Sequence, residues 1–184
     1  DVDNAKLMLI PLDEGKYGID MGSLFPQNTF KNRSNGLRAD LAQAIADLKP
    51  KFVRFPGGCL AHGDGLDNIY DWKGSIGPLE ERRPLPNIWR YHQTRGLGYF
   101  EFFQFCEDIG AEPIPVVAAG VCCQNSGTCS HYSWGEIGCG GQQRGIPMNE
   151  MEKYIQDILD LIEYANGDAT KTKWGKIRAA SGHP

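Results

Sequence analysis

Apolar residues recur every three or four positions in three segments of the chain, which predicts three amphipathic helices. The first ends before Lys49-Pro50, the second runs from Tyr99 to Gly110, and the third opens at Pro147 and closes at Asn166. Their apolar positions are Leu37, Leu41, Ile45 and Leu48 in the first, Phe102, Phe103, Cys106 and Ile109 in the second, and Met151, Ile155, Ile158, Ile162 and Ala165 in the third. The polar residues 173–184 predict no closing element.

Two continuous apolar runs predict buried strands at residues 52–55 and 113–120. Pro56 lacks a backbone donor, so regular pairing of the first strand should stop there. Two shorter runs, residues 6–10 and 17–21, flank a turn and predict a β-hairpin.

The predicted order is a hairpin, then helix, strand, long connection, helix, strand, long loop and helix. Parallel strands joined by helices, with the long loops after the strands, are typical of an α/β barrel that works at its carboxyl-terminal face. A doubly wound sheet is the competing architecture, but no Gly-x-Gly-x-x-Gly sequence follows a strand.

The segment 51–59, Lys-Phe-Val-Arg-Phe-Pro-Gly-Gly-Cys, carries candidate chemistry at the end of a strand. Arg54 lies within the apolar run, and a buried guanidinium needs a carboxylate or several other acceptors. Gly57 and Gly58 allow a sharp turn or the close approach of a ligand. These residues are compatible with the edge of an active site, and equally with a plain core strand whose arginine faces outward.

Aromatic and charged residues alternate in the long connection 59–98. Tyr70, Trp72, Trp89 and Tyr91 resemble a sugar-binding surface, in which aromatic faces stack on sugar rings while charged groups bind the hydroxyls. The alternative for each tryptophan is that it pins the connection to the rest of the fold. A connection this long inside a compact domain is usually functional.

Composition narrows the classes of partner. The net charge of −4 and the absence of a basic stripe argue against nucleic acid. No run approaches the roughly 20 apolar residues of a membrane span. The length of 184 residues makes one domain the default.

Four of the six cysteines fall between residues 122 and 139. Cys122, Cys123, Cys129 and Cys139 do not match a familiar zinc spacing, although structural zinc remains an alternative. Disulfides are favoured if the protein is exported, and free thiols are the third possibility. Asn125 follows the second strand and could reach a substrate.

Several stretches together resemble the α-L-arabinofuranosidases of glycoside hydrolase family 51 (GH51), from residue 20 to the end of the chain. They are Leu24-Phe-Pro, Thr29-Phe-Lys, Asn35-Gly-Leu-Arg-Ala-Asp-Leu, Phe52-Val-Arg-Phe-Pro-Gly-Gly-Cys, Trp72-Lys, Ile76-Gly-Pro, Arg82-Arg, Gly96-Leu-Gly-Tyr-Phe-Glu, Gly110-Ala-Glu-Pro and Asp160-Leu-Ile-Glu-Tyr-Ala-Asn-Gly. The order and spacing of these motifs are more specific than any one of them.

The resemblance implies part of a (β/α)8 barrel over residues 26–184, with 52–55 and 114–119 as barrel strands 2 and 3. Residues 1–25 would be the end of a β-sandwich domain. Such enzymes are retaining and use two glutamates, which the resemblance places beyond residue 184. It therefore implies no catalytic residue within this chain, no cofactor and no metal, and it implies that the chain alone is inactive.

The same resemblance assigns supporting roles to four residues. Arg54 would brace the nucleophile carboxylate, Gly58 and Cys59 would lie against the arabinose, and Trp89 would line the cleft near the leaving group. The implied substrates are arabinofuranosyl oligo- and polysaccharides such as plant arabinan and arabinoxylan. A carbohydrate-binding module without catalysis is the alternative function. Oligomeric state and localisation stay open.

Overall fold

A computed structural model describes residues 4–20, 22, 26–89, 91–124, 126 and 143–183, which form an α/β structure. The helices are α1 (Ala39–Asp47), α2 (Gly58–His62), α3 (Tyr99–Ile109), α4 (Met148–Asn166) and α5 (Lys173–Ala180). The strands are β1 (Phe52–Phe55), β2 (Leu85–Pro86), β3 (His92–Gln93) and β4 (Glu112–Pro115). Single 3-10 turns occupy Phe30–Asn32, Leu66–Asn68, Lys73–Ser75 and Leu79–Glu81.

The predicted parallel pairing is confirmed between β1 and β4, which are joined through the long connection and α3. Arg54 lies opposite Ile114 in this register, and Phe55 lies opposite Pro115. The regular strand β1 ends before Pro56, as its missing donor predicts. The β4 strand is shorter than the predicted 113–120, although the Val116 N–H still donates to the Phe55 carbonyl at 2.7 Å. All four residues of β4 are exposed, so the prediction of a buried strand is wrong there.

The main hydrophobic core lies on one face of this sheet, because side chains along β1 alternate between its two faces. Val53 and Phe55 pack against a buried cluster. The Phe55 ring stacks on Phe102 of α3 with centroids 5.0 Å apart. The buried members of the cluster are Trp72, Tyr99, Phe102, Cys106, Leu161 and Tyr164.

The amino-terminal end of α3 is packed tightly against the preceding connection. The Gly98 N–H donates to Glu101 Oε2 at 2.9 Å, which satisfies one of the helix's free donors. A β-carbon built on Gly98 would lie only 1.8 Å from the Ser75 carbonyl oxygen. The absence of a side chain at position 98 therefore lets the Lys73–Ser75 turn reach the helix.

A buried ion pair ties the long connection to α3. Arg82 forms a two-pronged contact with Glu101, at 2.7 and 3.0 Å, and both side chains are less than a tenth exposed. The same guanidinium donates to the carbonyls of Gly77, Arg95 and Gly96. The connection is thus an ordered segment rather than a structureless loop.

The prediction of a β-hairpin near the start of the chain is not confirmed. The structure assigns no strand within residues 4–20, so the predicted hairpin does not form in that described segment. All of those residues are exposed, with Leu7 at 87% and Leu12 at 92%, and no packed face supports strand pairing.

The carboxyl-terminal segment is helical, so the prediction of no closing element is wrong. Helix α5 is capped by the Thr172 side chain, which accepts from the Gly175 N–H at 3.1 Å. Its Trp174 ring lies 5.0 Å from the Trp72 ring. The α5 side chains that pack against the core are those of Trp174 and Ile177, which do not form a full apolar stripe. Hydrophobic periodicity therefore does not predict this helix.

The predicted apolar face of the first helix packs only in part. Leu37 packs against the buried Phe30, Ala42 and Phe105, whereas Leu41 is 57% exposed and Leu48 is 80% exposed. The helix packs through a small residue, and a stripe of larger apolar side chains faces outward.

Lys73 joins the long connection to α4 through two carboxylates. Its Nζ lies 2.5 Å from Asp157 Oδ1 and 2.5 Å from Asp160 Oδ2. Burial acts to raise the pKa of Asp160, but hydrogen bonds from Lys73 and Gln156 outweigh it and hold that pKa below its ordinary value of 3.8. The stabilisation from this carboxylate is therefore present above pH 3.8 and is lost as pH falls through the lowered folded-state pKa.

We expect Asp160→Asn to lower the free energy of unfolding by about 1 kcal/mol at pH 7, since the contact is only partly shielded from water. Urea unfolding of the chain at pH 7 and at decreasing pH measures this. The difference from the wild type should shrink on acidification. Asp47→Asn, at an exposed carboxylate of α1, is the control and should cost less. A difference that grows on acidification contradicts the assignment.

Candidate functional site at the carboxyl ends of β1 and β4

Arg54 projects from the sheet face opposite the main core. Its neighbours in the alternation, Val53 and Phe55, face the helices, and Arg54 itself is exposed. Of the two alternatives that the sequence leaves open for Arg54, the structure has the outward-facing one, and no described residue is a hydrogen-bond or ion-pair partner of Arg54. The guanidinium reaches toward the strand end, where its Nη2 would lie 3.6 Å from a β-carbon built on Gly58.

A tight turn follows β1 and begins the site. Gly57 adopts φ 117°, a conformation that favours glycine, and α2 starts at the next residue. Cys59 occupies the first turn of α2 and is partly buried. Arg54, Gly58 and Cys59 are thereby brought to the same end of β1, as the sequence predicted.

The loop after β4 is bonded to the turn after α2. The Cys123 N–H donates to the Gly63 carbonyl at 3.2 Å, and the Gly63 N–H donates to the Cys59 carbonyl at 2.9 Å. Ser126 Oγ accepts from the Gly65 N–H at 2.9 Å. His62 Nδ1 lies 2.6 Å from the Val121 carbonyl and also joins these two segments. No local sequence pattern indicates these roles of His62 and Ser126, because they include partners on distant backbone segments.

The neighbouring Cys123 side chain, followed by burial, raises the pKa of Cys59 above its ordinary value of 9.0, so the Cys59 thiol is neutral at physiological pH. Cys123 is almost completely buried, and its Sγ lies 3.5 Å from Gln124 Oε1. A neutral thiol can donate one weak hydrogen bond and accept another.

Cys59, Cys106 and Cys123 are free thiols in the described part of the chain, so no disulfide joins Cys123 to Cys122. Cys129, Cys139 and the candidate substrate contact Asn125 lie outside the described residues. Within the described part of the chain, no three His, Cys, Asp or Glu side chains are placed to hold a metal ion.

The four aromatic residues of the long connection separate into two groups. Trp72 is buried, and its Nε1 donates to the Asp157 carbonyl at 2.8 Å, which makes it a core residue. Tyr70 packs against Phe55 and Tyr99. Trp89 and Tyr91 are exposed, at 51% and 68%, and remain candidates for sugar contact.

The side chain of Asn87 organises the turn that carries the exposed pair. Asn87 is 5% exposed, and its Oδ1 accepts from the N–H groups of Trp89 at 3.0 Å and Tyr91 at 3.1 Å. The Asn87 N–H donates to the Tyr91 carbonyl at 3.1 Å. The β2–β3 turn therefore displays Trp89 from a defined backbone.

A cavity of about 460 Å³ lies between the Leu66–Asn68 turn and the start of α4. Asp67, Arg144, Glu150 and Lys153 contribute mixed charge to its lining. Of the predicted site residues that the structure describes, none lines this cavity. No described helix is both long and apolar enough to cross a bilayer.

A sequence model of the family described as "Alpha-L-arabinofuranosidase 1 domain" matches residues 44–184. The chain belongs to the GH51 α-L-arabinofuranosidases. It is 47% identical to the "Extracellular exo-alpha-L-arabinofuranosidase" of Streptomyces chartreusis, with 90% of this chain and 20% of that protein covered. It is 41% identical to "Alpha-L-arabinofuranosidase 1" of Arabidopsis thaliana, with 97% and 23% covered.

Solved GH51 structures agree. An arabinose-bound GH51 α-L-arabinofuranosidase matches with a TM-score of 0.70 and 38% identity, over 85% of this chain and 22% of that one. The Thermotoga petrophila GH51 enzyme matches with a TM-score of 0.55 and 25% identity, over 83% and 24%. The chain thus spans between a fifth and a quarter of the length of these relatives. The resemblance to GH51 found in the motifs is confirmed.

Proposed function

We propose that the chain supplies one wall of the active site of an α-L-arabinofuranosidase. Such an enzyme removes terminal arabinofuranosyl residues from plant arabinan or arabinoxylan. The observation that carries this is the placement of Arg54, Gly58 and Cys59 at one end of β1, in a chain that matches the family over residues 44–184. The parallel pair β1 and β4 is proposed to be strands 2 and 3 of a (β/α)8 barrel, whose chemistry lies at this end. Residues 1–25 are proposed to be the end of a β-sandwich domain.

The proposed mechanism is retaining, with two carboxylates about 5–5.5 Å apart across the scissile bond. We assign neither to this chain. Glu101 is committed to Arg82, Asp108 to Arg33, and Asp157 and Asp160 to Lys73, all on the helix side of the sheet. The role proposed for Arg54 is to hold the nucleophile carboxylate in its charged form, because a nearby positive charge lowers a carboxyl pKa.

Hydrolysis of 4-nitrophenyl α-L-arabinofuranoside tests this proposal. The isolated chain should show no turnover, and a longer protein that contains it should release nitrophenol. Proton NMR of the first sugar product should show the anomeric configuration of the substrate. Turnover by the isolated chain contradicts the assignment of both carboxylates elsewhere, and an inverted first product contradicts the retaining mechanism.

A carbohydrate-binding module is the second candidate, and the exposed pair Trp89 and Tyr91 is the observation that favours it. Affinity electrophoresis of the isolated chain in arabinoxylan distinguishes the two. Retardation by the wild type and none by Trp89→Ala would favour a binding role in the absence of catalysis.

For the active-site proposal, we expect Trp89→Ala in the longer enzyme to raise KM about tenfold, equivalent to about 1.4 kcal/mol of lost contact. Since half of the Trp89 side chain is already in water, the unfolding midpoint should change little. Steady-state kinetics and urea unfolding measure the two effects. Tyr91→Ala, which removes the neighbouring exposed ring, is the comparison. Its KM shows whether loss of any exposed aromatic ring on this turn has the same effect. An unchanged KM in Trp89→Ala contradicts a contact near the leaving group.

A further inference from the structure

Asn68 is a buried amide that connects the segment after the Cys59 helix to the hairpin that carries Trp89. Asn68 is 4% exposed, and its side chain has a hydrogen-bond partner on each side. Asn68 Oδ1 accepts from the Asp64 N–H at 2.8 Å, and Asn68 Nδ2 donates to the Pro86 carbonyl at 3.0 Å. One side chain therefore joins the backbone after α2 to the end of β2.

The turn that holds Asn68 is itself fixed on the end of α2. The Gly63 N–H donates to the Cys59 carbonyl at 2.9 Å. The Tyr70 N–H, just after the turn, donates to the Ala61 carbonyl at 3.0 Å. A β-carbon built on Gly63 would lie 2.0 Å from the Asn68 carbonyl oxygen, so the two backbones are in close contact. The Asn68 side chain therefore starts from a fixed position relative to the end of β1.

The β2–β3 hairpin is too short to fix its own direction. Its ladder has two residue pairs, Leu85 with Gln93 and Pro86 with His92, and Pro86 has no N–H to donate. Even a longer two-stranded hairpin is at best marginally stable by itself in water. Contacts outside the ladder are therefore needed to orient the hairpin on the rest of the structure.

We propose that Asn68 is a positioning residue that sets the place of Trp89 relative to the end of β1. The Pro86 carbonyl that it binds belongs to the peptide group that joins Pro86 to Asn87. Asn87 Oδ1 in turn accepts from the Trp89 N–H at 3.0 Å. Because a primary amide can donate and accept at once, Asn68 serves both of its partners, whereas a carboxylate could only accept. The importance of this arrangement for catalysis rests on the proposed function, in which Trp89 lines the cleft near the leaving group.

Amide hydrogen exchange of the chain, measured by NMR at Trp89 and Tyr91, tests the structural step. Both of these N–H groups are bonded to the Asn87 side chain. In Asn68→Ala we expect both to exchange about threefold faster or more, because loss of a buried hydrogen bond lets the turn open more often. Asn68→Asp should behave alike, since it keeps an acceptor for the Asp64 N–H but loses the donor to the carbonyl before Asn87.

Ser75→Ala is the matched control for this exchange experiment. Ser75 is 0% exposed, and its hydroxyl also donates to a backbone carbonyl, that of Trp72, at 2.8 Å. Its loss should lower the stability of the chain without changing the exchange of the Trp89 N–H. Unchanged exchange in both Asn68 variants, or an equal change in Ser75→Ala, overturns the proposal.

A double-mutant cycle in the longer enzyme tests whether Asn68 acts through Trp89. Asn68→Ala should raise KM for an aryl arabinofuranoside about two- to fivefold with kcat nearly unchanged, and should raise it no further in a Trp89→Ala background. An equal increase in both backgrounds, or an unchanged KM in Asn68→Ala alone, overturns the positioning role. If the longer wild-type protein has no arabinofuranosidase activity, the proposed function fails, while the exchange result still decides whether Asn68 holds the turn.

Discussion

Arg82→Met should lower the free energy of unfolding by about 3–5 kcal/mol, because it leaves the buried carboxylate of Glu101 without its positively charged partner. The backbone carbonyls of Gly77, Arg95 and Gly96 would each lose a donor at the same time. A loss of this size is a large fraction of the 5–15 kcal/mol that typically separates folded from unfolded states. Urea unfolding of the chain gives the value.

Two further variants identify the cause. Arg38→Met is the matched control, because Arg38 pairs with Asp40 at an exposed site, where both side chains are more than 60% accessible. We expect little change in the free energy of unfolding there, since surface ion pairs contribute little. Adding Glu101→Gln to Arg82→Met should recover part of the loss by removing the unpaired charge. If Glu101→Gln lowers the free energy of unfolding by the same amount in Arg82→Met as it does alone, the two residues act independently.

Arg54→Ala should reduce kcat/KM of the longer enzyme about 10²–10³-fold, the cost of losing one preorganised charged donor in an active site. Stability of the chain should change by less than about 0.5 kcal/mol, since the guanidinium is exposed. Arg54→Lys should recover only part of the activity, because an ammonium group lacks the planar fork of donors. Steady-state kinetics with an aryl arabinofuranoside and urea unfolding measure both quantities.

The pH dependence of kcat/KM tests the role of the Arg54 charge more specifically. Without the positive charge of Arg54, the pKa of the nucleophile carboxylate should rise, and the acidic limb of kcat/KM should move to higher pH. Arg38→Ala, which removes an arginine from the exposed pair on α1, should alter neither kcat/KM nor its pH profile. Equal activity of Arg54→Ala and wild type would contradict the role proposed for Arg54.

Local sequence signals predicted the elements that determine the architecture. The apolar run 52–55 and the stripe between Tyr99 and Gly110 correspond closely to β1 and α3, and parallel pairing follows from the helix between strands. Alternation along β1 also places Arg54 opposite Val53 and Phe55, which is the outward-facing alternative. The misses have one origin: α5 and the exposed positions of Leu41 and Leu48 depend on contacts between distant segments.

The same limit applies to the candidate site. Arg54, Gly58 and Cys59 are consecutive features of one turn, so the sequence alone brings them together. The hydrogen bond from the Cys123 N–H to the Gly63 carbonyl depends on the register of β1 against β4, which composition and spacing do not specify. Likewise, nothing in the local sequence distinguishes the exposed Trp89 from the buried Trp72.

The close approach of Ser75 to Gly98 has a consequence for mutational libraries. With only 1.8 Å available to a β-carbon, even alanine would push the Lys73–Ser75 turn away from the start of α3. Randomising codon 98 and selecting for folded protein should therefore return glycine almost exclusively. A β-carbon at position 110 would lie in open space, and glycine is favoured there only by the backbone angle. Randomising codon 110 should therefore also return asparagine.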